Sequence, residues 1–135
     1  MVLGCQLLLL LTLIVQPALS LAEEKAETWR TELWSGSIYT STFKCGFCFS
    51  QNGKARGVLQ LKTFYGQVDT YHLYGTIKNN KVDLRHSSGH HVQGEILSDQ
   101  AVKGSITLGT GRTIDFKGQR KQGVRLAKSD CAPLD

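Results

Sequence analysis

Past Leu33 the chain shows no 3.6-residue repeat of apolar side chains, which excludes a helical bundle and any fold built from crossover helices. It also lacks an apolar run long enough for a helical membrane span. The run Leu7 to Val15, "LLLLLTLIV", falls well short of the ~18–20 residues a bilayer crossing takes. There is no nucleophile elbow, no phosphate-binding glycine loop and no H-E-x-x-H. The carboxylates are scattered: Glu23, Glu24, Glu27 and Glu32 crowd one segment, while Asp69, Asp83, Glu95 and Asp115 fall mostly on outward strand positions. Without convergent acids, bases or nucleophiles, no catalytic site is expected, and no nucleic-acid partner either.

The run Leu7–Val15 has the length of a signal-peptide core. Small residues follow it, with Ser20 and Ala22 suiting cleavage after Ala22 and Ala18 and Ser20 offering a site after Ser20. The atypical feature is that no Lys or Arg precedes Leu7. The reading is an exported protein, periplasmic or secreted, with residues 1–22 removed and no transmembrane span in the mature chain. Residues 23–32 are expected to form a lead-in, disordered or briefly helical, with the folded domain at 33–128 and a tail at 129–135 carrying Cys131.

From Leu33 onward the period is two. Ala55, Gly57, Leu59 and Leu61 alternate with Arg56, Val58, Gln60 and Lys62, and the same holds for Tyr71, Leu73, Gly75 and Ile77. Val82, Leu84 and His86 form a third such set, and His90, Val92, Gly94 and Ile96 a fourth. Val102–Leu108 and Ile114–Gly118 repeat the pattern. Turn residues punctuate these segments at Asn52-Gly53, Asn79-Asn80, Ser87-Ser88-Gly89, Ser98-Asp99 and Gly109-Thr110-Gly111. Such short connections pair neighbours as antiparallel hairpins. The expected fold is therefore all-β, an antiparallel meander of seven or eight strands closed or nearly closed into a small barrel. "GVRLAK", Gly123 to Lys128, is the weak candidate for an eighth strand.

One glycine recurs on the apolar face of most strands, as in "WSGSI", "ARGVL", "LYGTI", "VQGEI" and "VKGSI". Inward glycines let a small, strongly coiled barrel close, or else leave room for a ligand. Closure is the favoured reading. The arrangement resembles up-and-down barrels as a class, the lipocalin and avidin types among them, and matches no family signature residue by residue.

Removal of Cys5 with the signal peptide would leave Cys45, Cys48 and Cys131, an odd number in a disulfide-permissive compartment. A redox dithiol at "CGFC" would open a helix, yet Asn52-Gly53 turns the chain immediately afterwards. In a regular strand Cys45 and Cys48 face opposite ways, about 10 Å apart, too far for a bridge. Cys45–Cys48 pairing thus demands a break at Gly46. The apolar phase does shift, from even numbers at Trp34, Gly36 and Ile38 to odd ones at Phe43, Cys45, Phe47 and Phe49, as a bulge would make it do. The other option ties Cys131 to one of the pair. Seven strands would bring the tail out beside the tetrad, and eight would bring it out at the far end.

"RHSSGHH" makes His86 and His90 cross-strand neighbours on the apolar face, with His91 facing out. Together with Cys45 and Cys48 they are the candidate ligands for zinc or copper. No other cofactor is implied. The charge of +5 concentrates in Arg112, Lys117, Arg120, Lys121, Arg125 and Lys128, opposed there only by Asp115. Alternation reads these as an outward basic strip, open to an anionic envelope component. The functional expectation is a non-catalytic binding barrel for a small ligand or a protein. Metal handling is the second reading, and thiol–disulfide exchange through Cys45 and Cys48 the third.

Overall fold

The computed structural model describes residues 29–127 and 130–134. The expected signal peptide, residues 23–28 of the lead-in, and Lys128 lie outside them. Eight antiparallel strands follow one another around a closed barrel: β1 (Trp29–Ile38), β2 (Ser41–Ser50), β3 (Lys54–Lys62), β4 (Val68–Lys78), β5 (Lys81–Arg85), β6 (His91–Ile96), β7 (Ala101–Thr107) and β8 (Thr113–Gln122). β1 closes the ring by pairing with both β2 and β8. Among the described residues no helix is long and apolar enough to cross a membrane.

The strand count is eight for a reason the apolar pattern disguised. The phase shift near Tyr39 is not a bulge in one strand but a tight turn at Tyr39-Thr40 between two, and Ile38 pairs with Ser41. A hairpin register that sums to an odd number turns even inward positions into odd ones, so the shift is what a two-residue turn demands. "GVRLAK" is not a strand; it contributes only an isolated bridge, Leu126 to Pro133. β1 itself starts at Trp29, so residues 29–32 belong to the barrel rather than to a lead-in.

The other expected turns are in place. Asn79 and Asn80 both take positive φ, 51° and 61°, as a two-residue hairpin requires. Gly53 N–H donates to Ser50 O, and the His86–His90 loop is closed by His86 N–H to His90 O at 2.9 Å.

The inside is full. Trp34 and Phe47 pack with ring centroids 4.4 Å apart, and Phe43 meets Phe116 edge to face at 5.7 Å. The inward glycines are seats for these rings. A Cβ on Gly57 would stand 2.5 Å from Phe47 Cδ1, and one on Gly36 would stand 2.8 Å from Phe43 Cε1. Closure and packing, not a central ligand space, therefore account for the glycine-per-strand pattern.

Outside the ring, the chain after β8 folds back across β2. Gly123 N–H donates to Thr31 O, Thr31 Oγ1 donates to Val124 O, and Cys48 is bonded to Cys131 with Cα atoms 5.8 Å apart. Gly46 allows this approach, since an added Cβ would run into the Cys131 carbonyl oxygen. Gly46 and Cys48 are thus buried beneath the tail, with Ser50 buried on the same face, while Cys45, Phe47 and Phe49 are buried in the core. From Cys45 to Ser50, β2 is consequently buried on both faces. The tail reaches Cys48 even though the barrel has eight strands, because the extra strand arises at the Tyr39 turn and β8 still ends beside the start of β1.

This geometry removes the redox reading and the local bridge. Gly46 stays within an unbroken strand, Cys45 and Cys48 point to opposite faces, and Cys48 is already paired. Among the described residues Cys45 is the free thiol; it is buried, and burial pushes its pKa well above the ordinary thiol value. An unfolded chain binds fewer protons than the folded one above the ordinary thiol pKa. Cys45 therefore lowers stability as pH rises past that value and is neutral below it.

Three measurements check this packing. Gly57→Ala should cost about 1–3 kcal/mol in urea unfolding, because Phe47 and the Gly46 carbonyl leave the methyl no room. Cys131→Ser should cost about 3–4 kcal/mol through the loop it reopens. Alkylation of the native protein should leave Cys45 unmodified until the chain unfolds.

Candidate functional site

The meander sends four of its seven connections to one end of the barrel and three to the other. The end with four carries Tyr39-Thr40 and the loops 63–67, 86–90 and 108–112. We refer to it as the histidine end. Here the aromatic filling stops short, and a cavity of about 90 Å³ remains beneath the loops. Its walls are aliphatic: Ile38, Leu59, Leu61, Leu73, Val92, Ile106, Leu108 and Ile114, with Tyr71, His86 and His90 above them. Leu61, Tyr71, Leu108, Ile114 and both histidines are only half-buried, so the cavity is a mouth and not a sealed void.

The two histidines bound the loop between β5 and β6 and, as the alternation predicts, continue the inward rows of those strands into the cavity; their rings stack with centroids 5.8 Å apart and planes at 19°. Tyr71 meets both edge-on, at 5.3 and 5.8 Å. The loops fix the rings further. Ser88 N–H donates to His86 Nδ1 at 3.2 Å, with Ser88 Oγ 2.5 Å from the same nitrogen, and Gly109 N–H donates to His90 Nδ1 at 3.1 Å. A backbone N–H is always a donor, so each Nδ1 must be an acceptor. The neutral rings then carry their hydrogen on Nε2, where neither has a partner among the described residues. The sequence puts Tyr71 on the inward face with Leu73 and Gly75, but its place beside the two histidines was not anticipated. His91 faces outward as expected and meets Asp83 at 2.9 Å.

The four proposed metal ligands do not converge. His86 and His90 spend Nδ1 on the backbone, Cys45 lies in the core of β2, and Cys48 is tied to Cys131 on the outer face. Among the described residues no group of three or more His, Cys, Asp or Glu is placed to hold a metal ion. The physical reason is topological: β2 and the β5–β6 hairpin sit on separate parts of the ring and are not brought together.

The opposite end is built on charge. Glu32 is buried, and its carboxylate takes Arg120 Nε at 2.9 Å, Arg120 Nη2 at 2.5 Å and Trp34 Nε1 at 2.7 Å. Arg120 Nη1 donates to Ser98 O at 2.6 Å. Arg120 is therefore not part of an outward basic strip. It shares the inward parity of Phe116 and Gly118, and its side chain is only 8% exposed. Lys117 and Lys121 do face outward on β8, Arg125 lies exposed in the tail, and Arg112 belongs to the loop at the histidine end. The strip thus divides among separate surfaces. Glu32 and Arg120 could have been found from parity alone, since each continues an inward row. A polar recess of about 360 Å³ lies above the pair, lined among others by Arg30, Lys78 and Asp99.

Arg120→Met should destabilise the barrel by about 3–5 kcal/mol by stranding a buried carboxylate. Adding Glu32→Gln should recover part of that loss, a non-additivity that urea unfolding of the two single variants and the double variant would measure.

Comparison of the chain with protein-family models, curated proteins and solved structures finds no match.

Proposed function

We propose that this protein is an exported, non-catalytic binding barrel that takes a small apolar group into the mouth at the histidine end. The observation carrying the reading is the half-buried aliphatic cavity beneath two histidines whose Nδ1 atoms are already occupied. The aliphatic wall recognises hydrocarbon, and the two free Nε2–H groups favour a carbonyl, carboxylate or other acceptor beside it. Burying hydrocarbon there supplies the affinity, and the imidazole donors supply orientation.

Size decides how much of a ligand enters. At the ~30 Å³ a water molecule occupies in the liquid, a cavity of about 90 Å³ takes roughly three groups of methylene size. At ~0.8 kcal/mol per buried methylene that is about 2–3 kcal/mol, enough for weak binding only. The mouth therefore takes the end of a chain or one side chain, and the remainder of the ligand lies across the rim.

Methyl-resolved NMR titration with short-chain carboxylates and the matching alcohols tests this. Shifts confined to Leu61, Leu108 and Ile114, saturating near the millimolar range, are expected. Ile114→Trp, which fills the mouth, should remove them. Absence of any shift at these methyls would sink the reading.

A further inference from the structure

We propose that the histidine end is a docking surface for an anionic lipid bilayer. The inference goes beyond the mouth and does not depend on its ligand. At this end the loop tips carry apolar side chains into solvent: Phe64 is 79% exposed, Tyr65 94% and Tyr39 71%, with Val68 at 52% beside them. Apart from the Phe64–Tyr65 contact and the Arg112–Tyr39 contact, a folded chain gains little within itself from such exposure.

These residues are held in place. The loop carrying Phe64 and Tyr65 is closed by Thr63 N–H to Gln67 O at 2.8 Å, Gly66 N–H to Thr63 O at 2.9 Å, and Gln67 N–H to Thr63 Oγ1 at 3.1 Å. The Phe64 and Tyr65 rings meet edge to face at 5.6 Å. Tyr39 provides an independent sign. It sits at φ +53°, a left-handed conformation that suits Gly or Asn and is unfavourable for a bulky aromatic. The turn would fold more easily with glycine, so the ring's presence is a cost to folding that an external role explains.

Charge at the same end selects the partner. Lys62, Arg85 and Arg112 each lie in a loop or one residue from it, and all three are exposed. The Arg112 guanidinium lies over the Tyr39 ring at 5.7 Å. The carboxylates Asp69, Asp83 and Asp115 are set two or three residues back along their strands, where Asp69 accepts from Gln67 and Asp83 meets His91. Aromatic tips flanked by cations match the apolar boundary and anionic headgroups of a bilayer surface. A protein partner fits less well. A stable protein interface buries a continuous area of roughly 1,000 Å² or more, whereas these side chains project as separate tips around a depression.

Co-sedimentation with vesicles of phosphatidylcholine alone, or with roughly one part in three phosphatidylglycerol, tests the proposal. The intact chain carries Leu7–Val15, so the decisive comparison is between variants. Binding should favour the anionic vesicles and weaken about tenfold in the Phe64→Ser, Tyr65→Ser double variant, whose sites are too exposed to disturb folding. Tyr39→Gly should weaken binding while leaving the thermal midpoint unchanged or higher, an outcome a purely structural Tyr39 would reverse. Ile114→Trp should keep vesicle binding, which separates this proposal from the mouth's ligand. Three results would overturn it: no binding to any vesicle, a double variant that binds like the parent, or lipid-free dimerisation through the same residues.

Discussion

The seam between β1 and β8 is where the first and last strands of the ring must meet, and the structure depends on its holding. Trp34 stands opposite Arg120 across this seam and Gly36 opposite Gly118. The glycines let the Phe43 ring sit over the junction, and the Glu32 carboxylate bridges Arg120 and the Trp34 indole from inside. A sheet that fails to close leaves two edge strands with unpaired backbone groups. Here the edges satisfy one another, and a buried ion pair with all its oxygens engaged fixes their register. The desolvation cost of such a pair is large, so its contribution is better understood as specificity of closure than as net stability.

From closure the rest follows in order. A ring of eight strands has a narrow interior, and five aromatic rings, those of Trp34, Phe43, Phe47, Phe49 and Phe116, occupy most of it. The end holding Glu32 and Arg120 is further restrained on the outside, where the tail crosses β2 and is covalently attached through Cys48. The histidine end has no such restraint. Aliphatic side chains line it, the filling rings do not reach it, and its loops carry exposed aromatics. The molecule is thus polar and tied down at one end, apolar and accessible at the other. The proposals for ligand and membrane both arise from that asymmetry.

Much of this was legible in the sequence. Alternation predicted the strand faces, and with them the inward pair His86 and His90, the outward His91 and the opposed directions of Cys45 and Cys48. Turn chemistry located five of the connections. The errors came where one pattern has two causes. A phase shift marks either a bulge or a tight turn, and Tyr39-Thr40 lacks the Gly or Asn that would have announced the turn. Arg120 looked like its basic neighbours because charge alone suggests solvent. Its parity said otherwise, but only the presence of Glu32 two residues before Trp34 makes an inward arginine tolerable.

What the sequence determined by itself was local: strand and turn, inward and outward, since these follow from the two-residue period of an extended chain and from the backbone demands of particular turn residues. What only the tertiary structure decided was non-local. Which cysteine bonds Cys131, which carboxylate meets Arg120, and whether the histidines and thiols share a site all depend on how strands far apart in sequence are arranged around the ring. Pairing across more than eighty residues, as in Cys48–Cys131 and Glu32–Arg120, leaves no periodic trace in the chain. It is set by closure of the ring, which brings those positions together.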